Sequence, residues 1–175
     1  NDPELIGVLV NGISGEFNDL PDNIGFDVSI LTDEMVGSGS YFATGQFRRG
    51  VYDDEDSGFN FDNSHEIWFN VHAAWERMQD LLDNPQGAPS ARLFMLEGFA
   101  HRILGENFCE VTYSESALLP RTAAFDSAIA NFQIAASHAS GDPDAADFET
   151  AAYAGMAQAY VGLGDWSSAV AEAAK

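Results

Sequence analysis

The sequence has very few basic residues and a single cysteine. It contains 7 Lys and Arg residues against 28 Asp and Glu residues, which gives a net charge of −21, and its one lysine is Lys175. Such a charge repels a phosphate backbone and an anionic membrane surface, so we expect no nucleic-acid partner. The one thiol, Cys109, can form neither an internal disulfide nor a cysteine-based zinc site. Its acidic and apolar neighbours in sequence predict a small buried side chain.

The sequence also lacks the segments that target or anchor a chain. No run approaches the roughly 18 apolar residues that span a bilayer, and the chain shows no signal peptide. It opens Asn1-Asp2-Pro3 without an initiator Met. We therefore expect a processed product or a fragment of a longer chain, and a cytoplasmic location does not follow.

The residues that are present predict a globular, helical protein. Apolar residues make up 46 % of the chain and aromatic residues 12 %, which argues against disorder. Helical spacing of apolar residues predicts an all-α fold of tetratricopeptide-like antiparallel helix pairs with long irregular insertions, forming one helical-repeat domain over residues 1–175. The predicted helices cover residues 3–17, 64–83, 90–106, 122–138, 145–162 and 166–175, and residues 18–62 are predicted to be an irregular insertion with one short helix around 28–35.

The repeat is predicted from small residues at the turns between helices. Gly164 is expected to end one helix in a left-handed turn, and Asp165 to cap the next. Gly98 and Gly105 have the same spacing as Ala157 and Gly164, so residues 104–106 are predicted to be a second copy of the 163–165 elbow. The second helix of this earlier unit resumes late, which implies an insertion of about 18 residues between its two helices.

A group of residues in and around this interrupted repeat forms a recognisable pattern. They are Arg92, Ala100, Leu104, Phe108, Glu110 and Val111, with Trp68 before them, Leu163-Gly164-Asp165-Trp166 after them, and Thr32-Asp33-Glu34 as an early T-D-E segment. The pattern resembles the R-x-L-R-A-x-A-Y-x-x-L-x-x-x-F-G-D-V-P type of segment that members of the SusD/RagB family of nutrient-binding lipoproteins carry. Cys109, Thr112 and His101 depart from the usual Gly, Pro and Tyr, and family members are more than twice this length.

The resemblance implies a binding protein and not an enzyme. It implies a lipoprotein on the extracellular face of the outer membrane that captures glycan or another nutrient for a TonB-dependent transporter. A structural or protein-interaction scaffold, such as a self-assembling extracellular filament or surface-layer subunit, is the alternative. A hydrolase is the least favoured hypothesis, since no nucleophile motif is present.

Two features of the sequence suggest metal ligands, and both are weak. Asp53, Asp54 and Asp56 offer hard oxygen donors that suit Ca²⁺, but they do not fit an EF-hand, so a solvated acidic loop is favoured. His65 and His72 are seven residues apart and share a face of one predicted helix. Because that spacing is too long for one ion and the H-E-x-x-H pattern is missing, we expect ordinary surface or core histidines and no metal site.

Aromatic residues in the predicted insertion are the candidate ligand-binding residues. Tyr41, Phe42, Phe47 and Tyr52 lie outside any helical period, and aromatic faces stack on sugar rings. The alternative, which we favour, is that they pack the insertion onto the helices. Trp68, Trp75 and Trp166 are expected to pack between helices.

Overall fold

The computed structural model describes residues 5–36, 42–51, 61–113 and 116–175. Within these residues the chain forms seven α-helices, one short 3-10 helix and two strands of two residues each. The helices are α1 (Ile6–Leu31), α2 (Phe42–Phe47), α3 (Phe61–Leu81), α4 (Ala88–Asn107), α5 (Thr122–Ala139), α6 (Ala146–Leu163) and α7 (Trp166–Ala173). The strands β1 (Glu110–Val111) and β2 (Leu119–Pro120) pair antiparallel, and Pro143–Ala145 forms the 3-10 helix. The all-α prediction is confirmed.

The long helices stack in the order of the chain. Helix α1 contacts α3 and α4. Helix α4 also contacts α3, α5 and α6, and helix α6 also contacts α5 and α7. Arg92 of α4 lies over the ring of Phe148, and Arg102 of α4 donates a hydrogen bond to Gln158, so α4 and α6 run parallel. This pattern of contacts is that of stacked antiparallel helix pairs.

Helix α1 is longer than the sequence predicts. It continues through Pro21 to Leu31, so the prediction of irregular structure from residue 18 is wrong for residues 18–31, and the short helix expected at 28–35 is the end of α1. An internal proline costs a helix roughly 3 kcal/mol. The burial of Leu20, Ile24 and Ile30 offsets that cost, because these side chains are buried and a buried Leu or Ile contributes about 1.5–3 kcal/mol. Helix α2 is a second regular element inside the predicted insertion.

Two phenylalanine rings of α5 fix its distance from both flanking helices. Phe125 and Phe132 are almost completely buried. The ring of Phe132 lies against Gly98 of α4 and Gly155 of α6, and a Cβ on Gly98 would come within 2.7 Å of that ring. The ring of Phe125 lies in the same way between one glycine of α4 and one of α6, Gly105 and Gly162. The rings occupy space that any side chain at these glycines would fill.

The structure corrects one of the two predicted elbows. Gly98 and Gly155 lie against the same ring, that of Phe132, so α4 and α6 pack on two sides of α5. Gly105 lies inside α4, which ends at Asn107, so residues 104–106 are not a helix-ending elbow. Gly164 does adopt the predicted left-handed conformation, with φ of 77°, and Asp165 does cap α7 by accepting a hydrogen bond from the Ser168 amide.

Two single residues also depart from their predicted burial. Cys109 is exposed; it lies in the bend between the end of α4 at Asn107 and the start of β1 at Glu110. Trp166, expected to pack between helices, is 65 % exposed at the start of α7. Trp75 does pack as predicted, with its ring 5.1 Å from the ring of Phe94 on α4.

The glycine contacts predict opposite effects for two Gly→Ala substitutions. Gly155→Ala should lower the free energy of unfolding by about 1–3 kcal/mol, because its Cβ would overlap the buried ring of Phe132. Gly12→Ala in α1 meets no described atom within 4 Å and should raise the free energy of unfolding by about 0.5–1 kcal/mol through helix propensity. Urea unfolding followed by circular dichroism measures both, and equal effects would contradict the packing described.

Candidate functional site

The structure describes only part of the site expected from sequence. Tyr41, Tyr52 and the acidic run with Asp53, Asp54 and Asp56 lie outside the described residues. Phe42 is 67 % exposed on α2, whereas Phe47 is 6 % exposed. The ring of Phe47 is therefore too buried to stack on a ligand and takes the packing role that was the favoured alternative.

Helix α3 presents two distinct faces because of the spacing of its residues. Its buried seam is formed by Ile67, Val71, Ala74 and Met78, which recur at helical intervals. His65, Trp68 and His72 follow one another at intervals of three and four residues along a neighbouring face. The predicted shared face of His65 and His72 is confirmed, since both reach towards the α4–β1 side of the molecule.

A buried carboxylate lies where α3 meets α4. Glu97 of α4 is 2 % exposed, and its Oε1 atom lies 3.3 Å from Nε2 of His72 and 3.4 Å from Nε2 of His101. The other nitrogen of His101, Nδ1, lies 3.2 Å from the hydroxyl of Tyr113. The second carboxylate oxygen of Glu97, Oε2, is buried and has no hydrogen-bond partner among the described residues. An ionised carboxylate without these histidine contacts would be costly at this depth.

The histidines decide the ionisation of this carboxylate. Burial raises the pKa of Glu97, but the hydrogen bonds from His101 and His72, together with their charges, outweigh burial and hold the pKa below its ordinary value of 4.5. The pKa of His72 is raised above its ordinary value of 6.5, chiefly by the hydrogen bond to Glu97 and further by the charges of Glu97 and Glu76, against the effect of partial burial. The two groups therefore stabilise each other as an ion pair.

His65 bridges α3 to the segment that follows β1. Its Nδ1 atom lies 2.9 Å from the carbonyl oxygen of Phe61 and its Nε2 atom 2.7 Å from the carbonyl oxygen of Thr112. A carbonyl oxygen can only accept a hydrogen bond, so both contacts are hydrogen bonds only when both ring nitrogens carry a proton. The ring also contacts that of Phe61, with 4.5 Å between ring centroids and an angle of 38° between the ring planes.

An open groove of about 530 Å³ lies over this bridge. Trp68 is partly buried with its ring 5.1 Å from that of His72, while Phe69 is 64 % exposed. The two acidic side chains of the groove, Asp62 and Glu66, are exposed to solvent. The full lining is Phe61, Asp62, His65, Glu66, Trp68, Phe69 and Thr112.

The groove combines aromatic and polar side chains. It offers aromatic faces, carboxylate acceptors and a histidine already committed to two backbone carbonyls. Within the described ranges, no group of three or more His, Cys, Asp and Glu side chains is arranged to hold a metal ion. The buried Glu97 does not line the groove; its histidine contacts join α4 to α3.

The sequence carries a signal for Glu97, which was not among the predicted site residues. Glu97 is the one charged residue between Leu93 and His101, in a stretch that is otherwise apolar or glycine. A lone acid in an apolar stretch is rarely buried without a partner, and His101 stands four residues later, on the same face of the helix. The contribution of His72 from α3 could not be found in this way, because it depends on tertiary packing.

Comparisons with known proteins do not assign the chain to a family. No protein-family model, no curated protein and no solved structure matches it. In the described segments, no helix has both the length and the apolar character that crossing a membrane requires.

The ion pair predicts a pH-dependent cost for Glu97→Gln. The His72 contribution is fully present below pH 6.5 and is lost as pH rises through its raised folded pKa. The Glu97 contribution is present above pH 4.5 and is lost as pH falls through its lowered folded pKa. Glu97→Gln should therefore reduce the free energy of unfolding most between about pH 5 and 6.5, by about 1–2 kcal/mol, with His72 half exposed and partly screened.

Urea titrations of the wild type and of Glu97→Gln at about pH 4, 6 and 8 measure this difference. Exposed Glu34, just after the end of α1, provides a control, since Glu34→Gln should behave as wild type at every pH. A constant difference between wild type and Glu97→Gln across the pH range would show that Glu97 is not paired with histidine.

Proposed function

We propose that the chain is a non-catalytic module that binds neutral glycans in the groove beside α3. The observation that carries the proposal is the adjacent pair Trp68 and Phe69, flanked by the exposed carboxylates of Asp62 and Glu66. An aromatic face covers the apolar C–H surface of a sugar ring, and carboxylates accept hydrogen bonds from its hydroxyl groups. The groove supplies both kinds of contact along neighbouring turns of one helix.

The shape and the charge of the groove favour a particular kind of glycan. The groove is open to solvent, which suits a segment of a longer chain better than a small molecule that must be enclosed. Asp62 and Glu66 stand in a protein of net charge −21, so uronic-acid and sulfated glycans are repelled. Neutral glucans, mannans and galactans are therefore the proposed ligands.

We also propose that the module acts at the cell surface in the manner of a SusD/RagB-type lipoprotein, delivering its ligand to a TonB-dependent transporter. This part of the proposal rests on the resemblance around Arg92, Leu104, Phe108 and Val111 and on the tetratricopeptide-like stacking of the helix pairs. Phe42, exposed on α2, provides a further aromatic side chain for a ligand.

Binding should depend on the two aromatic residues of the groove. Trp68→Ala and Phe69→Ala should each weaken the binding of a neutral oligosaccharide by about tenfold, which corresponds to about 1.4 kcal/mol of lost contact. Isothermal titration with maltoheptaose, laminarihexaose, mannohexaose and an oligouronate tests both the residues and the preference for neutral sugars. Thermal unfolding with the same panel provides an independent measurement, since a ligand of the folded state raises the melting temperature.

Trp166→Ala is the matched control, because Trp166 is exposed on α7 and does not line the groove. We expect this variant to bind each oligosaccharide as the wild type does, while both groove variants bind more weakly. If Trp166→Ala weakened binding as much as Trp68→Ala, the groove would not be the site.

A protein-interaction scaffold is the second candidate function. Trp166 and Val170 are four residues apart on one face of α7 and are 65 % and 71 % exposed, and an exposed apolar face of this kind is typical of an interface. If the chain self-assembles through α7, sedimentation velocity should show concentration-dependent association of the wild type that Val170→Asp reduces. If the wild type sediments as a monomer at every concentration, the hypothesis of self-assembly through this face is wrong.

A further inference from the structure

We propose that His65 and His72 form a protonation-dependent clamp that holds α3 in the position required by the aromatic groove, so that the groove is ordered at mildly acidic pH and loosens above neutral pH. The inference concerns regulation, and its ligand-binding consequence rests on the glycan-binding function proposed above. Histidine is the side chain whose charge changes in this range.

The first contact of the clamp is the His65 bridge. The two hydrogen bonds, to Phe61 on α3 and to Thr112 after β1, both require a proton on the ring nitrogen. Removing one proton leaves a nitrogen lone pair facing a carbonyl oxygen, so one of the two hydrogen bonds is replaced by repulsion. Because Phe61 and Thr112 both line the groove, loss of the bridge displaces its wall.

The second contact is the ion pair between His72 and buried Glu97. Neutral His72 still donates a hydrogen bond from Nε2, but the attraction between full charges is lost. The ring of Trp68 lies 5.1 Å from that of His72. A change in the position of His72 is therefore passed directly to the aromatic residue that would contact the ligand.

The acidic groups around the clamp favour its protonated form. Among the described residues they are Asp62, Glu66 and Glu76 on α3, Glu97 on α4, and Glu16 on α1, which accepts a hydrogen bond from Asn70. Two further titratable groups, His101 on α4 and Tyr113 after β1, contribute no negative charge, since burial raises the pKa of Tyr113 above its ordinary value of 10.0. The basic side chain of α3, Arg77, lines a different groove with Val8 and Phe69.

The clamp is tested first without any ligand. Long-range ¹⁵N–¹H NMR spectra distinguish an imidazolium ring from either neutral tautomer, and the chain has 4 histidines. The clamp requires both ring nitrogens of His65 to carry a proton, because each faces a carbonyl oxygen. For His72, we expect an imidazolium signal at about pH 6. His138 serves as the internal control, because burial lowers its pKa and it should lose its proton at lower pH. Glu97→Gln should lower the titration midpoint of His72.

Hydrogen exchange measures whether protonation holds α3 in place. Between about pH 6 and 8, the exchange rates of amides in the first half of α3 should increase about fivefold more than the intrinsic effect of pH predicts. This factor corresponds to the loss of about one hydrogen bond. The exchange rates of α5 amides around Phe132 should change with pH only as much as the intrinsic effect predicts. His65→Gln and His72→Gln, which do not titrate, should remove the extra acceleration.

Two results would overturn the clamp, and neither needs a variant to fold. One is a His65 ring that carries a single proton throughout the pH range. The other is an α3 whose corrected exchange has the same pH dependence as that of α5. Binding of maltoheptaose and laminarihexaose at about pH 6 and 8 then separates the two proposals. A titrating clamp without binding of any neutral glucan, mannan or galactan oligosaccharide overturns the glycan function alone, whereas pH-independent sugar binding with no titration overturns the clamp alone.

Discussion

The packing of two aromatic rings against four glycines determines how the central helices are arranged. Phe125 and Phe132 are seven residues apart on α5, and the glycines that receive them are seven residues apart on α4 and again on α6. Two turns of each helix are therefore in register with one another. Because interiors are close-packed, a ring held on both sides leaves little freedom for the helices to slide or rotate.

The same packing determines the environment of the buried carboxylate. Gly98 faces the ring of Phe132, so its neighbour Glu97 is directed to another side of α4, where α3 packs. Helix α4 is buried on most sides, and its buried residues include Glu97 itself. Glu97 must therefore find its partners on α3 and on its own helix, and His72 and His101 are those partners. A polar contact thus adds to the apolar seam in setting the register of α3 against α4.

Much of the fold was predictable because it depends on local patterns. The spacing of Val71, Ala74 and Met78 predicts the buried seam of α3, and the sequence around Gly164 and Asp165 predicts a turn that the structure confirms. The end of α1 was not predictable in this way. A proline is a strong local signal for a helix boundary, whereas the burial that overrides Pro21 comes from α3 and α4, which are distant in sequence.

The candidate site was less predictable than the fold because it is made by an insertion. Trp68 and Phe69 are adjacent in sequence, and their spacing alone does not tell which ring is open to solvent. The answer depends on the segment between α4 and α5, whose β1–β2 pair brings Thr112 and Tyr113 against α3. Without that segment, His65 would lack its second carbonyl partner and the groove would lack a wall. The segment between α4 and α5 is therefore what turns the exposed surface of α3 into a groove.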